Sequence, residues 1–488
     1  MKSRRLLPIL LIAMAALLVG ACGKAPEVPD VPRGSTVWAR NVAMACTTST
    51  TDASGGQLSY QFDWGDGTEL QWSPSMASGV SFAATHTYTK LGSFDITVRA
   101  KNSRKASAKS DPLKITVTDE GNVGWSFGFE PEEDDSSGFN FNSFAIGSDN
   151  TAYIACEYGA LIARKRLGGI MRFVLADPTF EFYAAPLLAD DGTIFIGSSN
   201  DTIYILNSDL TVKSRVNVGG EVNATGALGA DGTAYFQTAD SMVIALRPDG
   251  TPLWTFPSGG GNSAPVVGAD GTVYVASQQD SVYALDPSDG HSKWTYYLGA
   301  ASVQSPAIDP SRNSLYIVNS DLGELRSVDL TNDTLLWSYS AGEEPSGPVV
   351  GLDGSVFISG GGKLTKFSSD GEKIWAFDPP MDGVLSTPAI TADGYVYVLA
   401  VVAKKKLAPQ AADSLYAVNS DGTRRWACGL GEGASDADYP LSAPKVDASG
   451  LIYVGDGTRA WCVAGISAPA QSVWPMFQHD AQNTGRAR

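Results

Sequence analysis

Few residues of this 488-residue sequence have the types and spacing that enzyme chemistry needs. The three histidines, His86, His291 and His479, lie far apart, and no pair has the spacing of metal ligands. No Gly-x-Ser-x-Gly motif precedes a helical pattern, so the usual sign of a nucleophilic serine is missing. The sequence therefore predicts no catalytic residue, no metal site, no cofactor and no enzyme activity.

Carboxylates are abundant, but most have the spacing of turns. Asp-Gly pairs recur at regular intervals, and tight turns favour both residue types. One run, 130–135, holds five carboxylates in six residues. Oxygen ligands of this kind suit Ca²⁺, but the spacing matches no calcium loop and like charges repel. We expect this run to be a solvated linker.

The five cysteines lie at positions 22, 46, 156, 428 and 462, and no two are adjacent. Cys428 and Cys462 fall in neighbouring repeats of the region described below. An oxidising compartment permits a disulfide between them, and small buried thiols are also common. The sequence leaves the disulfide and the pair of free thiols as alternatives.

The formal net charge of −17 is strongly acidic. Binding to nucleic acid phosphates needs clustered lysine and arginine, so we expect no nucleic-acid partner. An acidic surface mainly keeps a protein soluble.

A unit of about 40 residues repeats eight times along the second part of the chain. It is clearest at Asp270-Gly271-Thr272-Val273-Tyr274-Val275, followed by Tyr283-Ala284-Leu285-Asp286 and Trp294. The turn glycine or its substitute falls at Asn150, Gly192, Gly232, Gly271, Asn313, Gly354, Gly394 and Gly450. Several short strands in a unit of this length are typical of a β-propeller.

Each unit is predicted to contain four strands, A to D, which form one blade of the propeller. The count indicates eight blades, with seven as the alternative. Residues 124–129 have the pattern of a strand D without its own A to C, and residues 443–464 have the pattern of A to C. Pairing the first with the second would close the ring and remove its sheet edges.

The segment from Ala284 to Trp294 has Ala, Asp, Gly and Trp at its first, third, seventh and eleventh positions. This pattern resembles the tryptophan-docking motif of PQQ-like (quinoprotein alcohol dehydrogenase-like) propellers, and looser copies end at Trp254, Trp337, Trp375 and Trp426. The resemblance implies that these five indoles pack between blades and are structural. PQQ-dependent dehydrogenases of that family carry an adjacent cysteine pair over the cofactor, which this chain lacks, so this alternative is disfavoured.

The N-terminus has the features of a secretion signal. Basic residues precede an apolar stretch, 6–19, that is too short to span a bilayer, and Leu18-Val19-Gly20-Ala21-Cys22 follows. This ending resembles the lipobox of bacterial lipoproteins. The resemblance implies removal of residues 1–21, lipidation of Cys22 and attachment to a membrane of the cell envelope, with Gly23 favouring the outer membrane. Residues 22–35 are a proline-rich tether.

Residues 36–118 form a separate predicted domain. Tyr60-Gln61-Phe62-Asp63-Trp64 runs into the turn Gly65-Asp66-Gly67, and His86-Thr87-Tyr88 precedes a second alternating strand. These motifs resemble those of the polycystic-kidney-disease (PKD) domain, an immunoglobulin-like β-sandwich. The predicted fold is thus an all-β chain: this sandwich, an acidic linker with the ring-closing strand at 119–142, and the propeller at 143–488.

The seventh repeat departs from the pattern through two insertions. Residues 402–411 lengthen the B–C loop and include Lys404, Lys405 and Lys406, while residues 431–439 lengthen the D–A loop and end at Tyr439. Both loops lie on one face of a propeller, and loops on rigid scaffolds commonly carry function. Three lysines on an acidic protein would suit an acidic patch on a partner.

The sequence therefore predicts a non-enzymatic envelope lipoprotein. Its propeller would bind or scaffold a protein partner, and its PKD domain would act as a spacer. A carbohydrate-binding or adhesive surface protein is the alternative, because PKD domains often accompany polysaccharide-active proteins.

Overall fold

The computed structural model describes residues 24–127, 141–156, 159–164, 170–174, 180–240, 242–299, 301–302, 304–380, 383–401, 413–431, 442–455, 459–472, 474–480 and 483–487. The chain divides into two compact units, Met1–Glu120 and Gly121–Arg488, which are described separately. Among the described residues, the single helical element is the 3₁₀ turn Pro310–Arg312. None of the described residues belongs to a helix that could span a bilayer.

The first unit is a β-sandwich. Its strands are β1 (Val37–Ala39), β2 (Ala43–Thr48), β3 (Gln57–Asp63), β4 (Met76–Ala77), β5 (Phe82–Thr87), β6 (Gly92–Lys101) and β7 (Leu113–Thr118). One sheet has the order β1-β7-β6-β3-β4, and the other pairs β2 with β5. Alternate side chains face the core, as Leu113, Ile115 and Val117 do on β7, because successive residues of a strand point to opposite faces.

The second unit begins with β8 (Val123–Phe127) and continues as eight sheets of the described residues, called blades 1 to 8 in chain order. Blade 1 contains β9 (Phe141–Ile146), β10 (Ala152–Cys156), β11 (Ala160–Arg164) and β12 (Ile170–Val174). Blade 2 contains β13 (Leu187–Leu188), β14 (Ile194–Gly197), β15 (Thr202–Leu206) and β16 (Val212–Asn217), and blade 3 contains β17 (Ala227–Leu228), β18 (Ala234–Gln237), β19 (Met242–Leu246) and β20 (Pro252–Pro257). Blade 4 contains β21 (Val266–Val267), β22 (Val273–Ala276), β23 (Ser281–Leu285) and β24 (Ser292–Tyr297).

Blades 5 to 8 continue the pattern. Blade 5 contains β25 (Ala307–Asp309), β26 (Ser314–Asn319), β27 (Glu324–Asp329) and β28 (Leu335–Ser340), and blade 6 contains β29 (Val349–Val350), β30 (Val356–Gly360), β31 (Lys363–Phe367) and β32 (Lys373–Phe377). Blade 7 contains β33 (Val384–Leu385), β34 (Ala389–Ile390), β35 (Val396–Val401), β36 (Asp413–Val418) and β37 (Arg424–Gly431). Blade 8 contains β38 (Lys445–Val446), β39 (Ile452–Gly455) and β40 (Ala460–Val463). Each blade runs A-B-C-D through antiparallel neighbours, and in blade 7 both β33 and β34 pair with β35.

The last blade takes its fourth strand from the start of the unit. Strand β40 pairs antiparallel with β8, so that Trp461 lies opposite Ser126. Strands β38 and β39 also contact β9 of blade 1. The N-terminal strand therefore completes the last blade, and that blade packs on the first. The all-β fold, a sandwich followed by a propeller, is confirmed.

The B strands are buried along their whole length, as on β14, β22 and β26, because neighbouring blades cover both faces. Apolar clusters accordingly join side chains of adjacent blades. Leu415 of blade 7, for example, shares a cluster with Val454 of blade 8. Burial of one such side chain stabilises the fold by about 1.5–3 kcal/mol.

A repeated hydrogen bond links blades in pairs, just before strand A. A backbone N–H of one blade donates to a Ser or Thr hydroxyl of the next: Ala185 to Thr225 (3.0 Å), Ala264 to Ser305 (3.2 Å) and Gly347 to Thr387 (3.2 Å). The residues at this position from blade 1 to blade 8 are Ser143, Ala185, Thr225, Ala264, Ser305, Gly347, Thr387 and Ala443. Hydroxyl residues thus alternate with small ones, and such alternation is continuous only around a ring with an even number of blades.

Candidate functional site

The propeller has two faces, which its connectivity defines. B–C turns and D–A loops lie on one side, here called the B–C face, and A–B and C–D turns lie on the other, the A–B face. Both insertions of blade 7 leave from the B–C face at one place, because Asp413 and Gly431, which border them, are paired in the ladder. Lys404, Lys405, Lys406 and Tyr439 themselves lie outside the described residues, as do Cys22 and the acidic run 130–135.

The C-terminal segment fills the centre of the ring. Its backbone and side chains bond to the inner edge of seven blades: Asn483 to Phe144 O and Pro186 O, Leu228 to Thr484 O, Val267 to Gly485 O, Val350 to Trp474 O, Ile390 to Pro475 O, and Lys445 to Phe477 O. Trp474 and Ala487 also join an apolar cluster with Ile308 of blade 5. The chain therefore closes its own channel. We call the described parts of this segment, 474–480 and 483–487, the plug.

A buried lysine anchors the plug to blade 8. Lys445 is 1% exposed, and its Nζ donates to the carbonyl oxygens of Phe477 (2.5 Å) and Asp480 (3.0 Å). Burial lowers the pKa of Lys445 to about 7, and the nearby Asp480 carboxylate opposes that effect.

The Asp480 carboxylate is held in place by its own neighbours in the plug. Burial would raise the pKa of Asp480, but hydrogen bonds from His479 and Thr484 bring it below its usual value. The hydroxyl of Thr484 donates to this carboxylate at 2.5 Å. The ionisable groups in the channel are thus engaged with one another and with the plug backbone.

The docking tryptophans connect successive blades. Four indole Nε1 groups donate to a C–D turn carbonyl of the next blade: Trp254 to Pro287 (2.8 Å), Trp294 to Leu330 (3.0 Å), Trp337 to Ser369 (2.9 Å) and Trp375 to Ser420 (3.0 Å). Trp426 packs on Gly121, beside the ring-closing strand. Each of the five indoles also packs on an aromatic ring of strand B in its own blade, with centroids 5.6–5.8 Å apart. These contacts occupy the indoles between blades.

The disulfide alternative for Cys428 and Cys462 is wrong in this structure, where both thiols are free and buried. Cys428 packs in a cluster that includes Val463 of blade 8. Cys462 directly precedes Val463 on the same strand, so its side chain points to the opposite face of the blade. Burial raises the pKa of both thiols, which keeps them protonated.

The motif residues of the first unit hold one another. His86 Nε2 lies 2.8 Å from Asp66 Oδ2, and the imidazole stacks on the Trp64 ring at 4.7 Å. The Tyr88 hydroxyl donates to the Trp64 carbonyl at 2.6 Å. Across the described parts of both units, no three His, Cys, Asp or Glu side chains form a group that could hold a metal ion.

Sequence comparisons agree with both units. Residues 30–130 match the profile of the PKD domain, and residues 239–345 and 321–468 match the PQQ_2 profile, described as outer membrane protein assembly factor BamB. The chain combines a PKD domain with a propeller of PQQ-like repeats. The two resemblances deduced from the motifs are therefore confirmed. No curated protein matches the sequence.

Solved structures match the PQQ-like propeller at low identity. BamB from Moraxella catarrhalis has a TM-score of 0.53 and 16% identity, covering 70% of this chain and 96% of that one. The C-terminal WD40 domain of Sif2 has a TM-score of 0.54 and 13% identity, covering 67% and 96%. The computationally designed Ika8 protein has a TM-score of 0.53 and 13% identity, covering 71% and 99%. At these identities the matches show the fold.

Proposed function

We propose that this chain is a non-enzymatic protein of the bacterial cell envelope that binds another protein through the B–C face of its propeller. One observation carries the proposal: the chain fills its own channel with the plug. The groups at the centre of the ring are then committed to the fold, and the loops at its faces are left for recognition. The B–C face is favoured because both insertions of blade 7 extend it.

The envelope location rests on the N-terminal sequence. A basic segment, a short apolar stretch and the lipobox-like residues before Cys22 support lipid attachment, with the outer membrane as the proposed site. Several acyl chains would anchor a protein stably, since each buried CH₂ contributes about 0.8 kcal/mol. The PKD domain is then a spacer between the membrane and the propeller.

The test is chemical crosslinking in intact cells, followed by affinity capture of the full-length protein. We expect one protein to be recovered repeatedly, and recovery to fall when residues 402–411 are deleted. The triple substitution of Lys404, Lys405 and Lys406 by glutamate is a matched variant that keeps the loop length. Unchanged recovery from both variants would remove the insertion from the binding surface, and no recovered protein from the wild-type chain would contradict protein binding.

One observation favours the second candidate, a glycan ligand. On the PKD domain the half-buried Trp72 lies beside two cations, with Lys101 Nζ 4.2 Å and Arg99 Cζ 5.6 Å from its ring centroid. A ring and cations together would suit an acidic sugar. Binding of the full-length protein to an array of acidic glycans, lost in Trp72→Ala, would support this function; equal binding by the variant would exclude this site.

A further inference from the structure

The proline-rich segment after Cys22 lies along the PKD domain in a regular pattern. Pro26, Pro29 and Pro32 are buried. The residue after each proline donates its backbone N–H to β2 or to the loop beyond it: Glu27 to Thr51 O (3.0 Å), Asp30 to Ser49 O (3.0 Å) and Arg33 to Thr47 O (2.8 Å). A period of three residues is that of a polyproline II helix. The PKD domain therefore holds this segment up to its first described residue, Lys24.

The start of the segment is fixed at one end of the sandwich by Asn102. The Nδ2 group of Asn102 donates to the carbonyl of Lys24 and to the Asp52 carboxylate, each at 3.0 Å. Asn102 follows β6, and its Oδ1 accepts from the backbone amides of Arg104 (2.9 Å) and Lys105 (2.8 Å). One side chain thus holds the backbone of Lys24 beside the turn that carries the other two cations.

The exposed charges that meet at this end are positive. Lys24, Arg104 and Lys105 are all exposed. The Asp52 carboxylate is buried and already accepts from Asn102. In the described part of the PKD domain, neither Lys24 nor Lys105 forms a salt bridge. A cluster of exposed cations is unusual on a chain whose net charge is −17.

The carboxylates of the segment lie farther from Cys22 than Lys24 does. Glu27 and Asp30 follow Lys24 by one and two turns of the polyproline II helix, which are about 9 and 19 Å along its axis. The Asp30 carboxylate accepts from the Ser49 hydroxyl at 2.7 Å. Lys24 is therefore the charged residue closest to Cys22, and only Gly23 separates the two.

The chain leaves the PKD domain at the opposite end. Strand β7 is antiparallel to β6, with Val117 opposite Gly92, so β7 ends far from the 102–105 turn. Asp119 and Glu120 follow β7, and Asp119 is paired with Arg40 at 2.8 Å. The domain thus has exposed cations where the chain enters and acidic residues where it leaves.

We infer that the entry end of the PKD domain, formed by Lys24, Arg104 and Lys105 and here called the basic end, binds the phosphates of anionic phospholipids at the membrane surface. The inference rests on the lipid attachment at Cys22 in the proposed function. The Cα atoms of Cys22 and Lys24 can be at most about 7 Å apart, so lipidation would hold the basic end at the headgroups.

The chemistry of the basic end fits that surface. Lysine and arginine have long side chains that bind phosphate oxygens, and each one near an anionic membrane strengthens binding by about fivefold. The acidic exit end would be repelled by the same surface. The basic end and the acyl chains would together orient the PKD domain with its exit end away from the membrane.

The experiment is lysine acetylation of the chain 22–488, which keeps every described residue, after coupling through Cys22 to a maleimide-bearing lipid in vesicles. The four described cysteines are buried, which directs the coupling to Cys22. One set of vesicles is phosphatidylcholine, and in the other phosphatidylglycerol replaces part of it. Mass spectrometry should show Lys105 acetylated about fivefold more slowly on the anionic vesicles, and high salt should remove the difference.

Two exposed lysines outside the basic end are internal controls. Lys90 lies in the turn between β5 and β6, at the opposite end, and Lys114 lies on β7 opposite Asp95. Both should be acetylated equally on the two kinds of vesicle. Equal slowing at Lys90, Lys114 and Lys105 would show that the whole domain is crowded against the surface and would overturn the inference.

The test variant is Lys24→Gln/Arg104→Gln, which keeps Lys105 as the reporter. It also keeps the hydrogen bonds of Asn102, because these use the backbone of residues 24 and 104. We expect this variant to lose most of the difference between the two kinds of vesicle, and the control variant Lys90→Gln/Lys114→Gln to retain it. Equal acetylation of wild-type Lys105 on both kinds, or an undiminished difference in the test variant, would overturn the inference.

Maleimide coupling replaces the acyl chains, so none of these outcomes depends on whether cells lipidate Cys22. Lipidation is measured separately, from the mass of the N-terminal peptide of the protein recovered from cells. An unmodified Cys22 in that peptide would contradict the proposed anchor and leave the vesicle result unchanged. Failure of the basic end is therefore distinguishable from failure of the proposed function.

Discussion

Replacing the buried lysine of the channel should change how stability depends on pH. The variant is Lys445→Met, which keeps the length of the side chain and removes its charge. Burial lowers the folded-state pKa of Lys445 from 10.5 to about 7. Between these values the unfolded chain binds more protons than the folded one, so the contribution of Lys445 to the free energy of unfolding rises with pH.

The magnitude follows from the two pKa values. Between about pH 6 and about pH 8.5, the free energy of unfolding of the wild-type protein should rise by about 2 kcal/mol relative to that of Lys445→Met. Each pH unit over which the unfolded chain holds one more proton than the folded chain contributes about 1.4 kcal/mol. Comparing two proteins removes the contribution of every other titrating group. The variant also leaves the carbonyls of Phe477 and Asp480 without their donor, which shifts its stability at every pH but adds no slope.

The assay is urea unfolding at both pH values, for the wild-type protein, Lys445→Met and a control, Lys373→Met, in which an exposed lysine of blade 6 is replaced. The control should follow the wild-type pH dependence. Parallel pH profiles for wild type and Lys445→Met would contradict this prediction, because they would show that Lys445 is solvated and that the plug does not cover it.

Three further results are expected. Gly290→Ala should destabilise the propeller by about 1–3 kcal/mol more than Gly219→Ala in thermal unfolding. Both glycines have a positive φ (74° and 75°), but an added Cβ would stand 2.5 Å from the Trp254 ring at Gly290 and meet nothing at Gly219. Equal losses of stability in the two variants would contradict docking of this indole. Trp474→Ala should lower the free energy of urea unfolding by about 3–5 kcal/mol because this side chain is 1% exposed. Tyr297→Ala, at a side chain that is 70% exposed, should change the free energy of unfolding by no more than about 0.5 kcal/mol. A small effect of Trp474→Ala would argue against the plug. Cys428 and Cys462 should both react with iodoacetamide in denaturant without prior reduction, as free thiols do, and a disulfide-linked peptide in the mass spectrum would contradict the packing described here.

The repeat predicted much of the propeller because its signals are local. An Asp-Gly turn, a run of β-branched and aromatic residues and a tryptophan at fixed offsets each determine a turn, a covered strand or a docking contact. The strand predicted near 124–129 had no A to C strands of its own, and pairing it with the last blade would remove the sheet edges. Strand β8 does pair with β40.

The plug could not be predicted in the same way because its contacts have no period. Asn483 donates to Phe144 O, more than three hundred residues earlier in the chain, and Lys445 is an isolated lysine in a strand A. Nothing in the sequence indicated that the imidazole of His479 is buried within the plug.

The sequence also did not show which face of a blade a given side chain occupies. Cys428 and Cys462 lie in adjacent blades, as expected. Cys428 packs with Val463, whereas Cys462, one residue earlier on the same strand, points to the opposite face of its blade.

Hydrogen–deuterium exchange of the full-length protein, alone and with the partner captured from cells, would show which face of the propeller binds the partner. We expect partner binding to slow exchange on the B–C face, in turns such as 320–323 and loops such as 341–346, and to leave the A–B turns 351–354 and 391–394 unchanged. Slower exchange confined to the A–B turns, or a partner whose binding changes neither face, would contradict this expectation.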